Sequence, residues 1–506
     1  MLSIYVFYSF YIQNKILILL FVLFSYGIYY LLVFLFSLKK SSSNYKIDNN
    51  EFEEAIAILM PICDDFDYEA ATALLTQNYK HYHIFICDDS KKEVNINRLI
   101  DWVNNNTEKC TRLYRNTNRG FKAGNLNDSE KKIPENFTLF CIIDSDQVIP
   151  ENYLTLMYKE YIANSKPAFI QGIHIGRNQN NETFSNVLSG VIYPEWRYHL
   201  LYKNNYGLPT VLGHGYLIER RALTQSGGHP EVVSEDLALT MSLACINKFG
   251  IISEKIISSE IYPTSLKSIT SRRFKWTMAD WEIIFSPYFI SFLNSKLSFI
   301  FKIDIVLREI RLPISTILGI FLCFYSIFSI INQNYSLIEI NPTIIILLIL
   351  SISPLFVVIL CNKDYKKGFV AFLGSLFVGL GMLTVQTSAG ITYFIIGKAI
   401  FYVTNNNINE ESKILGPNGS LTFLIDLLYF FIYIVFIFKT KDFILIAASL
   451  AILLRILSSK NIFKTENYII YFSIFLLGLI MIQLFFYEYI SLIGLLLLLS
   501  IPLLVV

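Results

Sequence analysis

Two pairs of acidic residues follow short apolar runs in the first half of the chain. Asp88 and Asp89 end one run, and Asp144 and Asp146 follow the run Phe137–Ile143. An acidic pair after a strand is often only a turn or a helix cap. Carboxylates at positions i and i+2 of an extended segment, however, point the same way, and their oxygens suit a hard divalent cation. The sequence therefore predicts a metal site at Asp144 and Asp146, with Mg²⁺ or Mn²⁺ as the ion.

A glycine-containing segment and a later acidic pair could complete such a site. Gly120, Lys122 and Gly124 lie between the two acidic pairs. Glycine allows close approach of the backbone, and a lysine ammonium can reach a phosphate. Glu235 and Asp236 come later, at the start of an apolar helical stretch. A carboxylate there either interacts with the helix dipole or acts as a general base toward an acceptor hydroxyl.

Two further groups have both a structural and a functional interpretation. Gly213 and His214 lie in a glycine-rich turn, where the histidine is either a packed loop residue or a ligand contact. Arg272, Lys275 and Trp276 directly precede the long apolar part of the chain. Basic and aromatic residues are common at a membrane interface, but lysine and arginine also bind phosphates.

The elements that must position these residues follow an α/β pattern. Apolar runs at Ala55–Met60, His83–Cys87 and Phe137–Ile143 alternate with helical stretches such as Tyr68–Asn78. This alternation predicts a parallel sheet with crossover helices. In such sheets ligands bind beyond the carboxyl ends of the strands, which is where both acidic pairs fall. We expect a Rossmann-like α/β domain over residues 45–300.

The composition indicates that much of the chain faces lipid. The 506 residues are 54% hydrophobic and only 16% charged, with a net charge of +2, whereas a soluble domain carries about 25% charged residues. The small net charge gives no electrostatic reason to expect a nucleic-acid partner. The seven scattered cysteines are expected to be buried apolar residues rather than ligands of a zinc site.

Apolar runs of about 20 residues predict membrane spans at both ends of the chain. Ile16–Leu38 is one, and it is too long for a signal peptide and lacks a charged start. Lys39 and Lys40 follow it, so the next segment is expected to be cytoplasmic. Met1–Ile12 is a second span or an interfacial segment, and Gly368–Leu383 is expected to be an interfacial helix. Further spans are expected near 312–331, 343–361, 421–438, 443–457, 468–487 and 490–506.

The order of these motifs resembles the membrane-bound family 2 glycosyltransferases, in particular the cellulose-synthase-like processive enzymes. That family carries a first Asp, an Asp-x-Asp, a Thr-Glu-Asp and a Gln-x-x-Arg-Trp. Asp88-Asp89 and Asp144-Ser145-Asp146 match the first two, and Ser234-Glu235-Asp236 matches the third with serine for threonine. Arg272-Arg273-Phe274-Lys275-Trp276 keeps the tryptophan but has Arg at the Gln position and Lys at the Arg position.

Phe401, Val403 and Thr404 further resemble the Phe-x-Val-Thr of that family's gating loop, although Asn406 stands at the place of its following lysine. The resemblance implies a type A glycosyltransferase fold that is cytoplasmic and inserted between transmembrane helices. The expected domains are membrane segments in 1–40, a glycosyltransferase domain in 45–300 with interfacial helices near 265–300, and a channel domain in 301–506 with an interfacial helix and gating-type loop near 368–416.

The resemblance also implies a role for each motif residue. Asp236, together with Glu235, is expected to be catalytic, as the base of an inverting displacement without a covalent nucleophile. Trp276, Gly213 and His214 are expected to bind the acceptor. The residues expected to bind the nucleotide sugar are Pro61, Asp64, Asp88, Asp89, Lys122, Asp144, Arg272 and Lys275.

The function implied by the resemblance is that of a processive synthase in a bacterial plasma membrane. It would polymerise a sugar from a UDP-sugar and export the growing polysaccharide through its own channel. UDP-glucose and a β-glucan are the preferred donor and product, as in capsular β-glucan synthases of the streptococcal kind. Two alternatives stay open: a non-processive enzyme that adds one sugar to a lipid carrier, and a transporter with a cytoplasmic regulatory domain.

Overall fold

The computed structural model describes residues 27–37, 54–177, 183–362, 364–400, 410–464 and 468–505. The first described element is helix α1 (Gly27–Ser37), which lies inside the predicted span Ile16–Leu38. An α/β domain follows, and a bundle of long apolar helices forms the remainder. The predicted gating-loop residues Phe401, Val403 and Thr404 lie outside the described residues.

A seven-stranded sheet is the centre of the α/β domain. Its strand order is β3-β2-β1-β4-β6-β5-β7. Parallel pairing joins β1 to both β2 and β4, and β2 to β3. The predicted runs near residues 55, 83 and 137 are therefore confirmed as parallel strands. The strands are β1 (Ala55–Ile62), β2 (Tyr82–Asp88), β3 (Cys110–Tyr114), β4 (Phe137–Ile142), β5 (Phe169–Gly176), β6 (Tyr216–Glu219) and β7 (Ile251–Glu260).

One strand makes the sheet mixed, whereas the sequence predicted a parallel sheet. The four-residue β6 runs antiparallel to both β4 and β5. Gly213 and Gly215 precede it in the left-handed region, with φ of +84° and +63°, so the chain turns sharply before entering the sheet. The three apolar runs read from the sequence correspond to β1, β2 and β4, which pair in parallel, and β5 and β7 also pair in parallel.

Helices cover both faces of the sheet because its central strands are apolar on both sides. In β1, Ile56, Ile58 and Met60 pack into one core, and Ala57 and Leu59 pack into the other. The helices of this domain are α2 (Tyr68–Leu75), α3 (Glu93–Asn104), α4 (Phe121–Glu130), α5 (Tyr153–Ala163), α6 (Thr183–Pro194), a π-helical turn (Glu195–Leu200), α7 (Leu201–Tyr206), α8 (Arg220–Gln225) and α9 (Glu235–Cys245).

Three helices connect the sheet domain to the bundle: α10 (Leu266–Ile284), α11 (Pro287–Asn294) and α12 (Phe299–Glu309). Phe289 and Phe292 of α11 pack with Leu237 of α9. Phe274 and Met278 of α10 belong instead to the core of the helical bundle. Helix α10 therefore contacts the bundle directly, next to the sheet domain.

The bundle supplies most of the predicted spans. Its elements are α13 (Arg311–Ile331), β8 (Leu337–Glu339), α14 (Pro342–Cys361), α15 (Tyr365–Ile396), α16 (Glu410–Leu415), α17 (Ser420–Thr440), α18 (Phe443–Ser459), α19 (Ile469–Phe486), β9 (Tyr489–Ser491) and α20 (Leu492–Val505). Within the described residues, five helices are long and apolar enough to cross a membrane, namely α13, α14, α15, α17 and α19. Helix α18 is apolar but shorter.

Helix α15 differs from the sequence prediction. Residues 368–383 were expected to form an interfacial helix, but they are the first half of this 32-residue helix. Most of its apolar part is buried inside the bundle, where it packs against helices on several sides. The glycines that suggested an interfacial segment instead allow close packing: Gly374 lies against Val187 and Gly390 lies against Thr316.

The cysteines form no disulfide among the described residues. Cys87, Cys110, Cys141 and Cys361 are buried as predicted, but Cys63 is exposed. Cys63 is exposed because it follows β1 in the loop at the carboxyl edge of the sheet.

Candidate active site

Lys122 and Asp144 meet at the carboxyl edge of the sheet. Asp144 follows β4, and Lys122 lies in the first turn of α4. Lys122 Nζ is 2.5 Å from Asp144 Oδ1 and donates a second hydrogen bond to the carbonyl oxygen of Gly213 at 2.8 Å. Gly120 caps α4 in the left-handed conformation, and a Cβ there would collide with Glu231. The glycine therefore allows α4 to start close to the site.

The acidic start of α9 faces the same lysine. Glu235 Oε1 lies 4.0 Å from Lys122 Nζ. The pKa of Glu235 is raised to about 7. Burial is the main cause and the Asp236 carboxylate adds to it, while the positive charge of Lys122 partly opposes the shift. A methyl group at Gly213 would lie 3.8 Å from Asp236 Oδ2, so Asp236 borders the Gly213 turn. Asp144, Lys122, Glu235 and Asp236, which are far apart in the sequence, thus converge.

Helix α10 brings the basic-aromatic motif to this place. Burial lowers the pKa of Lys275 to about 8, and the positive charge of Arg272 lowers it further, while Glu235 and Asp144 raise it. Lys275 thus interacts electrostatically with Glu235 on α9 and with Asp144 after β4. The Arg272 guanidinium lies over the Trp276 ring, 4.5 Å from its centroid. The predicted motif therefore joins the same cluster.

Asp146 and His214 belong to a neighbouring part of the site that contains two residues not predicted from the sequence. His214 Nε2 is 3.1 Å from Glu260 Oε2, and the rings of His174 and His214 stack with centroids 4.0 Å apart. Burial, Asp144 and Glu260 raise the pKa of Asp146 to about 6. One ligand atom from each of His174, His214 and Glu260 lies within 4.8 Å of the others.

The sequence carried a signal for one of these two residues. Glu260 is the last residue of β7, so it is another carboxylate at the carboxyl end of a strand, as Asp144 is near the end of β4. His174 lies inside β5 among apolar residues, and nothing in its local pattern separates it from a packed histidine. Only the parallel pairing of β5 with β7 brings these residues together.

The first acidic pair has a different environment. Asp88 and Asp89 are both buried. Arg112 Nε donates to Asp88 Oδ2 at 2.7 Å, and Arg115 donates to both oxygens of Asp89, at 2.7 and 2.6 Å. Asp128 also accepts a hydrogen bond from Arg115 at 3.1 Å. The expected binding of nucleotide by Asp88 and Asp89 stays a prediction, and the structure adds that each carboxylate has an arginine partner.

Pro61 and Asp64 lie next to this pair. Pro61 is in β1, in register with Cys87 of β2. Asp64 Oδ1 accepts hydrogen bonds from the backbone N–H groups of Lys91 and Lys92, at 3.2 and 2.9 Å. Asp64 thus holds the loops after β1 and β2 together at the carboxyl edge of the sheet.

Glu282 connects the site to the end of α15. Its Oε2 accepts a hydrogen bond from the backbone N–H of Val233 at 2.8 Å, and its Oε1 accepts one from Ala399 at 3.3 Å. Val233 lies two residues before Glu235, and Ala399 follows α15. One side chain of α10 therefore holds both segments.

Residues 139–360 match the family model described as glycosyl transferase family group 2. No curated protein matches the chain. The matched residues include Asp144, Asp236 and Lys275. This segment, on the mixed-sheet α/β fold described above, is therefore similar to family 2 glycosyltransferases, which supports glycosyltransferase activity for the chain.

Solved structures that are similar to the chain include the mannosyltransferase PcManGT from Pyrobaculum calidifontis, in complex with GDP-Man and Mn²⁺. It is 13% identical with a TM-score of 0.47, over 76% of this chain and 98% of that chain. Another is S. aureus TarS 1–349 in complex with UDP-GlcNAc, 13% identical with a TM-score of 0.33, over 70% of this chain and 97% of that chain.

Proposed function

We propose that the enzyme polymerises a sugar from a UDP-sugar and exports the product through its own helical bundle. The observation that carries the proposal is the convergence of Lys122, Asp144, Asp236 and Lys275 beside α10, a helix that packs into the bundle core. Helix α10 thus borders both the proposed donor site and the bundle. A product released at the site would therefore be next to the apolar helices.

Two lysines are suited to hold the donor diphosphate. Lys122 donates a hydrogen bond to Asp144, the Asp144 carboxylate acts electrostatically on Lys275, and Arg272 lies on the same helix as Lys275. Ammonium groups bind phosphate as point charges, and the fixed positive charge stabilises the charge that develops on the leaving nucleoside diphosphate. Pro61, Asp64, Asp88 and Asp89 are proposed to border the nucleotide at the adjacent strand ends.

The residues present fit a divalent cation. Asp146 has an elevated pKa because it is buried among other carboxylates, as expected where a cation balances the charge. Carboxylate oxygens suit Mn²⁺ or Mg²⁺. Asp144 and Asp146 would hold it, with His174, His214 and Glu260 next to them. When bound, the ion would neutralise diphosphate charge during departure of the leaving group.

Asp236 is proposed as the base of an inverting displacement. Its carboxylate would take the proton of the acceptor hydroxyl as the hydroxyl oxygen attacks the anomeric carbon and the bond to the diphosphate breaks. Glu235 beside it lies 4.0 Å from Lys122 and is proposed to assist the base. Trp276, Gly213 and His214 are proposed to contact the acceptor sugar, and Phe401, Val403 and Thr404 to form a loop over the donor.

The proposed topology follows the sequence expectation. Residues 1–40 would anchor the chain in a bacterial plasma membrane, 45–300 would be cytoplasmic, and 301–506 would form the channel. The polar segment of α15, which includes the buried Thr384, Gln386 and Ser388, supports a polar route, because hydroxyl groups cannot face hydrocarbon unpaired.

The test uses the purified full-length protein in lipid vesicles, supplied with separately labelled UDP-sugars and either Mg²⁺ or Mn²⁺. High-mass polymer inside the vesicles is expected with one donor, for which UDP-glucose is the preferred candidate. Transfer of a single sugar to lipid would support the lipid-carrier alternative. Failure of every donor to react would overturn the proposal.

A further inference from the structure

Asp304 is a buried carboxylate outside the site described above. It lies in α12 and is 6% exposed. Its Oδ2 accepts hydrogen bonds from Lys203 Nζ at 3.0 Å and from the backbone N–H of Leu208 at 3.1 Å. Its Oδ1 accepts a hydrogen bond from Tyr29 Oη at 2.6 Å. One carboxylate therefore joins α1, α7 and the segment that follows α7.

The segment that begins at Leu208 leads directly to the active site. Five residues further along, the carbonyl of Gly213 accepts the hydrogen bond from Lys122. Two hydrogen bonds hold the segment between these points. Thr210 Oγ1 accepts one from Arg308 at 3.0 Å, and the Val211 N–H donates one to Thr240 Oγ1 at 3.0 Å. The segment is thus held at its start by α12 and further along by α9.

The start of the segment has no room to shift toward α12. Gly207 precedes Leu208, and a Cβ at Gly207 would lie 2.9 Å from Asp304 Oδ2. Lys203 is only 1% exposed, so its ammonium depends on Asp304 for charge balance. One oxygen of the Asp304 carboxylate therefore holds the Leu208 N–H, and the other oxygen accepts a hydrogen bond from Tyr29.

We propose that Asp304 is a positioning residue for sugar transfer, and that Tyr29 makes this positioning depend on the N-terminal helix α1. Asp304 holds residues 208–213 in the place where the Gly213 carbonyl orients Lys122 and borders Asp236. The inference rests on the proposed function, because it takes Lys122, Gly213 and Asp236 as parts of the transfer site.

A merely structural role would give a different result. An ion pair that only stabilises the fold changes the unfolding temperature and leaves the turnover of folded molecules unaltered. A positioning role changes kcat while donor binding is retained, since the groups that bind and those that react are no longer aligned. The two roles are therefore separable by kinetics on folded protein.

The decisive variant is Tyr29→Phe in the full-length protein, because it keeps the ring beside His199 and removes only the hydroxyl bonded to Asp304. Its matched control is Tyr30→Phe, which removes a hydroxyl of the next residue, bonded to Glu195 at 2.8 Å, without affecting the bond to Asp304. We expect kcat to fall about fivefold in Tyr29→Phe, with an unchanged KM for the UDP-sugar and near-normal kcat in the control.

Hydrogen–deuterium exchange of the peptide covering 207–215 supplies a readout that does not need turnover. Faster exchange in Tyr29→Phe than in Tyr30→Phe supports the tether even if no donor reacts, in which case only the proposed function fails. Equal exchange in the two variants, or equal kcat, overturns the positioning role. Asp304→Asn should show the same exchange change, more strongly, provided that its unfolding temperature shows that it is folded.

Discussion

The two acidic pairs at the carboxyl edge of the sheet look alike in the sequence and differ in their surroundings. Asp88 and Asp89 are each matched by an arginine within 2.7 Å. Asp144 accepts a hydrogen bond from Lys122, whereas burial and the neighbouring carboxylates of Asp144 and Glu260 raise the pKa of Asp146. The negative charges of the first pair are thus neutralised by Arg112 and Arg115. Asp146 of the second pair is thus crowded by other carboxylates, which is the condition expected where a metal cation completes the site.

The difference teaches that position at a strand end is not sufficient to assign chemistry. Parallel strands bring both pairs to the same edge, but the residues that follow decide the outcome. Strand β3 pairs with β2, and Arg112 lies in β3 while Arg115 follows it. These two arginines form ion pairs with Asp88 and Asp89. The second pair instead meets the starts of α4 and α9, which carry Lys122 and Glu235.

The largest effect is expected for Asp236→Asn. The substitution keeps the size of the side chain and removes the proposed proton acceptor, so kcat should fall about a thousandfold while the fold is kept. Transfer of labelled sugar by vesicle-reconstituted protein measures this loss, and thermal unfolding in detergent checks the fold. Turnover near that of the wild type would refute the assignment of the base.

A loss of about a hundredfold is expected for Asp146→Asn, because a neutral amide is a weaker ligand for a hard cation. The variant should also need a higher concentration of Mg²⁺ or Mn²⁺ for half-maximal activity, with little change in unfolding temperature. Glu151→Gln is the matched control, since Glu151 is an exposed carboxylate nearby in the chain. An unchanged metal requirement in Asp146→Asn would contradict the cation site.

Asp89→Asn should act on stability instead. It leaves the buried Arg115 with Asp128 as its remaining carboxylate partner, which should lower the free energy of unfolding by about 2 kcal/mol. The decrease is measured by thermal unfolding, and Asp101→Asn on the exposed face of α3 is the control. If Asp89→Asn left the unfolding temperature unaltered, the contrast between a balanced and an unbalanced pair would be lost.

The smallest effect concerns pH. Lys275 is surrounded by Arg272, Lys122, Glu235 and Asp144, and its pKa is lowered to about 8. A lysine loses its charge as the pH rises above its pKa, so kcat/KM for the donor should fall about tenfold between pH 7 and pH 9. Glu235, with a pKa of about 7, is mostly ionised above pH 8 and adds little there.

Lys275→Arg is the control for the pH dependence, because a guanidinium stays charged throughout this range. The variant should keep a flat kcat/KM above pH 8, whatever its absolute activity. A decline of the same steepness in both proteins would mean that another group causes it.

The sequence was sufficient to predict the elements that depend on local patterns. The strands near residues 55, 83 and 137, helix α2, and most of the spans have apolar runs or helical spacing that identify them. The family resemblance also named the motif residues Lys122, Asp144, Glu235 and Lys275 as parts of one expected site. The convergence itself, however, is visible only in the structure.

The features that were missed depend on pairing between distant segments. The antiparallel β6 is only four residues long, too short for a reliable periodicity. His174 and Glu260 meet through the pairing of β5 with β7. Residues 368–383 were expected to form an interfacial helix because the run is rich in glycine and soon becomes polar, whereas these glycines permit close approach of neighbouring helices. In each case tertiary contacts outweighed the local pattern.

The two hydrogen bonds of Glu282 have a mechanical consequence. One oxygen holds the backbone that leads into the acidic start of α9, and the other holds the backbone that leaves α15. These two stretches of chain cannot be displaced independently while both bonds persist. A movement of residues 399–400 must therefore either move residue 233 as well or break one of the two hydrogen bonds to Glu282.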